Sequence, residues 1–185
     1  SRSNSGVVVQ INPEDIPEEL ASAGAFAGMD YQRSVERNLW EYSHTRSGHP
    51  FAAPAQRMVD FCEGVVSEDL PETSYKPGIV TAPLHELLPE PVASRLQDVF
   101  PLVEHHIMRG YYTNDAILVG VESRTSSPIR IPRDPQTRES LSFPGLLPCG
   151  EGAGYSGGIV SSAIDGINSA TAAAESIFAD STAAE

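Results

Sequence analysis

The sequence predicts a mixed α/β architecture, and three observations carry that reading. Short apolar runs at residues 7–11 (VVVQI) and 116–121 (AILVGV) have the length and composition of strands. Apolar residues recur at helical spacing over 29–42 and again from Ser156 onward. Residues 148–159, PCGEGAGYSGGI, form a glycine-rich link between a third strand candidate and the last helix.

Taken in order, residues 7–11 are β-branched and bounded by Asn12 and Pro13, which marks a strand. Residues 13–25 are acidic and then small, a turn or short helix. In MDYQRSVERNLWEY, Tyr31, Val35, Leu39 and Tyr42 share one face of an amphipathic helix, with Trp40 assigned to the core beside Tyr31. Residues 54–62 read as a short helix with Pro54 in its first turn. Residues 65–83, with three prolines, read as an extended surface loop. Helical spacing resumes over 84–109, with breaks expected at Pro89-Glu90-Pro91 and at Pro101. Residues 116–121 are expected in a buried sheet position and 145–149 (GLLPC) as a second buried strand. In the last helix, Val160, Ile164, Ile167, Thr171, Ala174 and Phe178 form one apolar stripe, while Ser162, Asp165, Asn168 and Glu175 fall largely off it.

The charge balance is 25 acidic against 12 basic side chains, a formal net charge of −13. That argues against nucleic-acid and anionic-membrane partners. No apolar run approaches the length of a membrane span. Two cysteines, Cys62 and Cys149, lie far apart and outside any CxxC pattern, so a reducing compartment is the expectation and a structural zinc or disulfide framework is not. The reading is of a soluble protein, cytoplasmic or organellar, with no metal site. His105-His106 are neighbours that point apart on a helix; His44 and His49 flank a Gly/Ser loop, where one could act as an acid or base but nothing nearby selects it.

The link after residue 149 carries five glycines, Gly150, Gly152, Gly154, Gly157 and Gly158. Such a run lets a backbone turn sharply and lets a ligand approach without a Cβ in the way. A helix start adds unpaired N–H donors and the positive end of the macrodipole, a setting for an electron-rich ligand group. Glu151 is placed to accept hydrogen bonds from sugar-like hydroxyls. The spacing fits neither a P-loop nor GxGxxG, and a tight-packing turn is the competing explanation.

The stretches VGVESRTSSPIRIPRD and GLLPCGEGAGYSGGIVSSAIDGI resemble the C-terminal part of the uncharacterised NAD(FAD)-utilising, FAD-dependent dehydrogenases. GMDYQRSVERNLWEY and FAAPAQRMVDF resemble the middle region of the same family. The resemblance implies a two-dinucleotide-binding-domain flavoprotein fold. Residues 1–115 would be the C-terminal part of an inserted substrate domain, and residues 116–185 the closing strand–loop–helix of the FAD-binding domain. It implies non-covalent FAD contacts from Gly150, Glu151, Gly152, Ala153, Gly154, Tyr155, Gly157, Gly158 and Ile159. Glu151 would face the ribityl or pyrophosphate portion, and the segment from Tyr155 to Ile159 the flavin pyrimidine edge. Arg124, Thr125, Ser126 and Ser127 are implied to face the flavin cleft, with NAD(P)H admitted as electron donor.

The sequence lacks the GxGxxG unit through which such flavoproteins hold the ADP half of FAD. The expectation is therefore a fragment, inactive alone, whose partners are the missing N-terminal portion or a companion chain and a small-molecule substrate. The alternative is a non-catalytic structural or interaction protein that keeps the fold without cofactor. Arg124, Arg130 and Arg133 admit either anion binding or salt bridging with nearby acids, and charge balance favours the latter. Gln56 and Arg57 in APAQR either line a substrate cavity or brace a helix. Cys149 reads as a small apolar residue.

Overall fold

The computed structural model describes residues 3–124 and 126–182. Its coarse class is the expected mixed α/β. The sheet is small and three-stranded: β1 (Ala53–Arg57), β2 (Ile79–Thr81) and β3 (Ile117–Val119) in the order β2-β1-β3. Helices α1 (Glu18–Ala21), α2 (Ala27–Ser47), α3 (Met58–Glu63), α4 (Leu84–Leu87), α5 (Glu90–His106) and α6 (Ile159–Thr182) complete it, with 3-10 turns at Pro13–Asp15 and Gly24–Phe26. The chain divides into two compact units. The first takes residues up to Ser22 and Asp30–Ser123; the second takes Ala23–Met29 and the chain from Arg124 onward.

In the first unit the central strand lies where the sequence suggests a helix. β1 pairs in parallel with β2, Ala53 opposite Ile79 and Ala55 opposite Thr81, and antiparallel with β3, Ala55 opposite Val119. Small side chains suit this crowded position, and Ala53 and Ala55 are both buried. Pro54 is tolerated near the strand end because the sheet uses its carbonyl, which accepts from Gly120 N–H at 2.9 Å. The helix starts only at Met58. Its first N–H groups are capped across the sequence by Asn114 Oδ1, which accepts from Val59 and Asp60 N–H at 3.0 and 3.3 Å. β2 also interrupts the stretch expected to be loop.

The run at 7–11 is not a strand: it has no regular structure, and Val7, Val8 and Ile11 are exposed. A lone β-branched run without a partner edge gains no ladder. It is tied down instead by Arg95, whose Nη1 donates to Gln10 O at 3.0 Å and which binds the Asp15 carboxylate at 2.8 and 2.6 Å. The 116–121 run shortens to three residues at a sheet edge, so it is half-buried rather than buried.

The core joins Leu39 of α2, Met58 and Phe61 of α3, Ala82, Leu84, Leu88, and Ala93 and Phe100 of α5. Phe61 and Phe100 meet edge to face, centroids 6.2 Å apart. Helical spacing placed Tyr31 and Leu39 inside, and both are buried. Trp40 is not core: it is half-exposed, its Nε1 donating to Pro50 O at 2.9 Å and its ring stacked on His44. The break at 89–91 falls between α4 and α5, but α5 continues through Pro101 because burial of Phe100 beside it outweighs the missing backbone bond.

Gly120 follows β3 where the core closes over it. A Cβ there would lie 2.9 Å from Leu39 Cδ2 and 3.3 Å from Leu84 Cδ2. Gly120→Ala is expected to cost about 1–2 kcal/mol, since both contacts are flexible side-chain ends that can shift in part. Urea unfolding followed by Trp40 fluorescence measures it.

In the second unit, residues 145–149 form no strand. Gly145 turns with φ +81, Leu146 and Cys149 are exposed, and Pro148 has no N–H to offer a ladder. The local backbone bonds run elsewhere: Ser140 N–H donates to Leu146 O at 2.7 Å, and Arg133 bridges Ser140. α6 forms as expected, and the first part of its stripe is exposed, Val160 at 71%, Ile164 at 54% and Ile167 at 65%. Among the described residues no helix is long and apolar enough to cross a membrane, and no group of three or more His, Cys, Asp or Glu is placed to hold a metal ion.

Candidate functional site: the glycine loop and its brace

The segment from Gly150 to Tyr155 folds as consecutive tight turns. Gly154 N–H donates to Glu151 O at 2.9 Å and Tyr155 N–H to Gly150 O at 3.1 Å. Gly150 and Gly154 have φ of +73 and +80, the left-handed region that glycine enters without penalty. The loop lies along residues 129–133: Ile131 N–H donates to Ala153 O at 3.2 Å, and Tyr155 Oη to Ile131 O at 2.9 Å. Arg130 Nε donates to Gly154 O at 3.0 Å.

One carboxylate anchors this arrangement. Asp165, in the second turn of α6, accepts from Arg133 Nη1 and Nη2 at 2.9 and 2.7 Å, from Gly150 N–H at 2.9 Å, and from Arg138 Nη2. Arg133 also donates to Pro148 O at 2.6 Å and lays its guanidinium over the Tyr155 ring, 3.5 Å from the centroid. Arg138, whose φ of 61 is the only positive value among the described non-glycine residues, reaches Ser169 Oγ at 3.0 Å. These side chains are nearly buried: 8% exposed for Arg133, 13% for Asp165 and 16% for Arg138. The Arg133 hydrogen bonds, the Gly150 N–H and the charges of both arginines outweigh desolvation and hold the Asp165 carboxyl far below the ordinary carboxylate range. The same pair raises Arg133, chiefly through its bond to Asp165. An open cleft of about 320 Å³ lies beside the cluster, bordered by Ser156, Ser161 and Asn168 among others.

At the start of α6, Gly158 N–H donates to Ser161 Oγ at 3.1 Å and that hydroxyl returns to Gly158 O at 3.0 Å. The first N–H in the helical ladder is that of Ser162, donating to Gly158 O. The N–H groups of Ile159 and Val160 have no partner among the described residues. Glu151 is partly exposed and pairs with Arg124 Nε at 3.2 Å.

The nine candidates from Gly150 to Ile159 thus share one loop and helix start, with distinct duties. The Tyr155 side chain is packed inward, leaving only its backbone available. Gly154 is needed by the chain itself: a Cβ there would overlap the Ile129 carbonyl oxygen and lie 3.0 Å from Arg130 Cα. At Gly152 a Cβ would meet nothing within 4 Å. Arg124 joins the loop through Glu151; Ser126 is exposed, and Ser127 Oγ accepts from Ile129 N–H at 3.4 Å. Thr125 lies outside the described residues. Arg133 pairs with Asp165 and Arg124 with Glu151, in line with the salt-bridging alternative, whereas Arg130 meets only Gly154 O and the Tyr155 ring among the described residues.

In the first unit Gln56 and Arg57 resolve as braces. Gln56 is fully buried, with Nε2 2.7 Å from Val65 O and 2.8 Å from His85 Nδ1. Arg57 binds the Asp69 side chain at 3.1 and 2.7 Å. Cys149 is exposed rather than packed. Sequence reading passed over Asp165 and Arg138. The available signal was an acid on the polar face of a helix that follows a glycine loop, with arginines upstream; its partners are set by the fold.

Comparison with known proteins places the chain. The family described as FAD-dependent protein, C-terminal domain-like, matches residues 1–125, and the chain belongs to that family. The match ends within two residues of the first unit's last residue, Ser123, so the glycine loop lies beyond it. An uncharacterized protein of Clostridium beijerinckii is 38% identical over 167 residues, covering 89% of this chain and 30% of the relative. The chain therefore spans about a third of the length of that relative.

Proposed function

We propose that this chain supplies the flavin-side contacts and part of the substrate cavity of an FAD-dependent oxidoreductase, a dehydrogenase that draws electrons from NAD(P)H and acts on a small molecule. Membership in an FAD-dependent family carries the reading. The donor set agrees with it: the unpaired N–H groups of Ile159 and Val160 at the positive end of α6 suit an electron-rich acceptor edge. Gly157 and Gly158 keep the approach to that turn free of side chains, and Glu151 offers a carboxylate to hydroxyls of the cofactor's ribityl chain. FAD, held non-covalently, supplies the two-electron chemistry when bound. The protein's own part is to hold the pyrimidine side and to favour the negative charge that reduction brings there. The ADP half of the cofactor requires a dinucleotide-binding portion from a longer polypeptide or a companion chain.

The full-length product of the encoding gene is expected to purify yellow and to release FAD on acid treatment. Glu151→Gln in that protein is expected to weaken FAD binding about tenfold, as loss of a charge-assisted hydrogen bond does. Fluorescence-quench titration of the apoprotein with FAD reads both. A colourless product that takes up no FAD refutes the reading.

A further inference from the structure

We propose that Asp165, with Arg133 and Arg138, is a positioning residue for the flavin-facing backbone, setting where the helix-start N–H groups stand rather than touching the cofactor. The proposal rests on the reading just given and deepens it.

The loop is also bonded along residues 129–133, and Ser156 Oγ meets Ser162 Oγ of α6 at 3.1 Å, but its charged tie to α6 runs through Asp165. Asp165 holds the entry of the loop directly through Gly150 N–H and indirectly through Arg133, which donates to Pro148 O. It holds the exit through the same Arg133, whose guanidinium lies on the Tyr155 ring. Arg138 pins the carboxylate from the other side and ties it to Ser169 one turn further along α6. Entry, exit and helix are therefore referenced to one carboxylate two turns from the helix start. Every contact of this brace is made by the chain's own nearly buried groups, and a donor set held that way costs little reorganisation when charge develops on its ligand. A loop held only by its own turns would keep its glycine conformations yet lose its register on α6.

Two consequences separate positioning from mere stability. In full-length protein, Asp165→Asn keeps the side-chain volume but loses the ionic clamp. Its preference for reduced over oxidised flavin is expected to fall about tenfold, which for a two-electron couple moves the midpoint potential about 30 mV more negative. Arg138→Gln is expected to move it the same way by less. Gly120→Ala, which strains the core of the other unit, is expected to lower stability and leave the potential unchanged.

The experiment is a spectroscopic redox titration of the three variants beside the parent, with FAD content measured on each. A negative shift confined to Asp165→Asn and Arg138→Gln supports the proposal. Flavin bound with an unchanged potential in both overturns it and leaves the flavoprotein reading standing. An equal shift in Gly120→Ala overturns it as well, because general destabilisation then explains the effect. A parent protein that binds no flavin overturns both.

Discussion

Asp165→Ala is expected to destabilise the second unit by on the order of 3 kcal/mol, the range seen when one member of a buried ion pair is removed. The substitution removes the acceptor of four hydrogen bonds and leaves Arg133 and Arg138 facing each other at 8% and 16% exposure with no carboxylate between them. Gly150 N–H loses its partner at the same time. Asp165→Asn keeps one acceptor oxygen and is expected to fall between alanine and the parent. The effect carries a pH signature. The folded carboxyl titrates below its ordinary value of 3.8, so its contribution is fully present above that value and is lost as pH falls through it toward the folded pKa. The gap between parent and Asp165→Asn is therefore expected to be constant from pH 7 to about pH 5 and to narrow below about pH 4. Hydrogen exchange of the α6 amides at several pH values measures it. A gap that stays constant into the acid range refutes the ionic origin.

How much of this was legible in the sequence depends on how local each determinant is. The face of α2 follows from apolar spacing alone, and Tyr31 and Leu39 are buried where that spacing puts them; on α6 the spacing misleads, since Asp165 and Ser169, off the apolar stripe, are the side chains that pack. Prolines mark the gap between α4 and α5 because they act on their own backbone. β1 was hidden because Ala-Pro-Ala-Gln favours no strand; those residues are there because small side chains fit between two neighbours distant in sequence. The 7–11 run shows the converse error, strong strand composition with no edge to join. Trp40 shares a helix with core residues but points between faces, and its indole N–H found Pro50 O instead.

The candidate site divides in the same way. Its glycine loop and helix start could be read from composition, since positive φ needs glycine and a helix start needs donors. The anchor could not, because the partners of Asp165 lie 27 and 32 residues away in sequence, at Arg138 and Arg133. The same distance explains why salt bridging could be favoured for the upstream arginines without naming the acid, while the fold commits Arg133 to Asp165 and Pro148.

The loop glycines are not equivalent, and the difference decides why the segment is so rich in them. Gly154→Ala is expected to cost about 3 kcal/mol without any ligand present. Its φ of +80 exacts about 1–2 kcal/mol from a residue bearing a Cβ. Overlap of that Cβ with the Ile129 carbonyl and Arg130 Cα adds an overpacking cost of about 1–3 kcal/mol, because the obstacle is backbone and cannot swing away. Gly150→Ala meets only the first of these, since Ser162 Cβ stands at 3.9 Å, and is expected to cost about 1–2 kcal/mol. Gly152→Ala meets neither and is expected to change apo stability by less than about 0.5 kcal/mol. Its effect should be confined to FAD affinity, where a Cβ in open space stands in the way of a ligand. Urea unfolding by circular dichroism, paired with FAD titration of the full-length protein, tests the order. Should Gly152→Ala destabilise the apoprotein as much as Gly154→Ala, chain packing alone would account for every glycine in the loop. Should it weaken FAD binding at unchanged stability, the open glycines are kept for the cofactor and the strained ones for the turn.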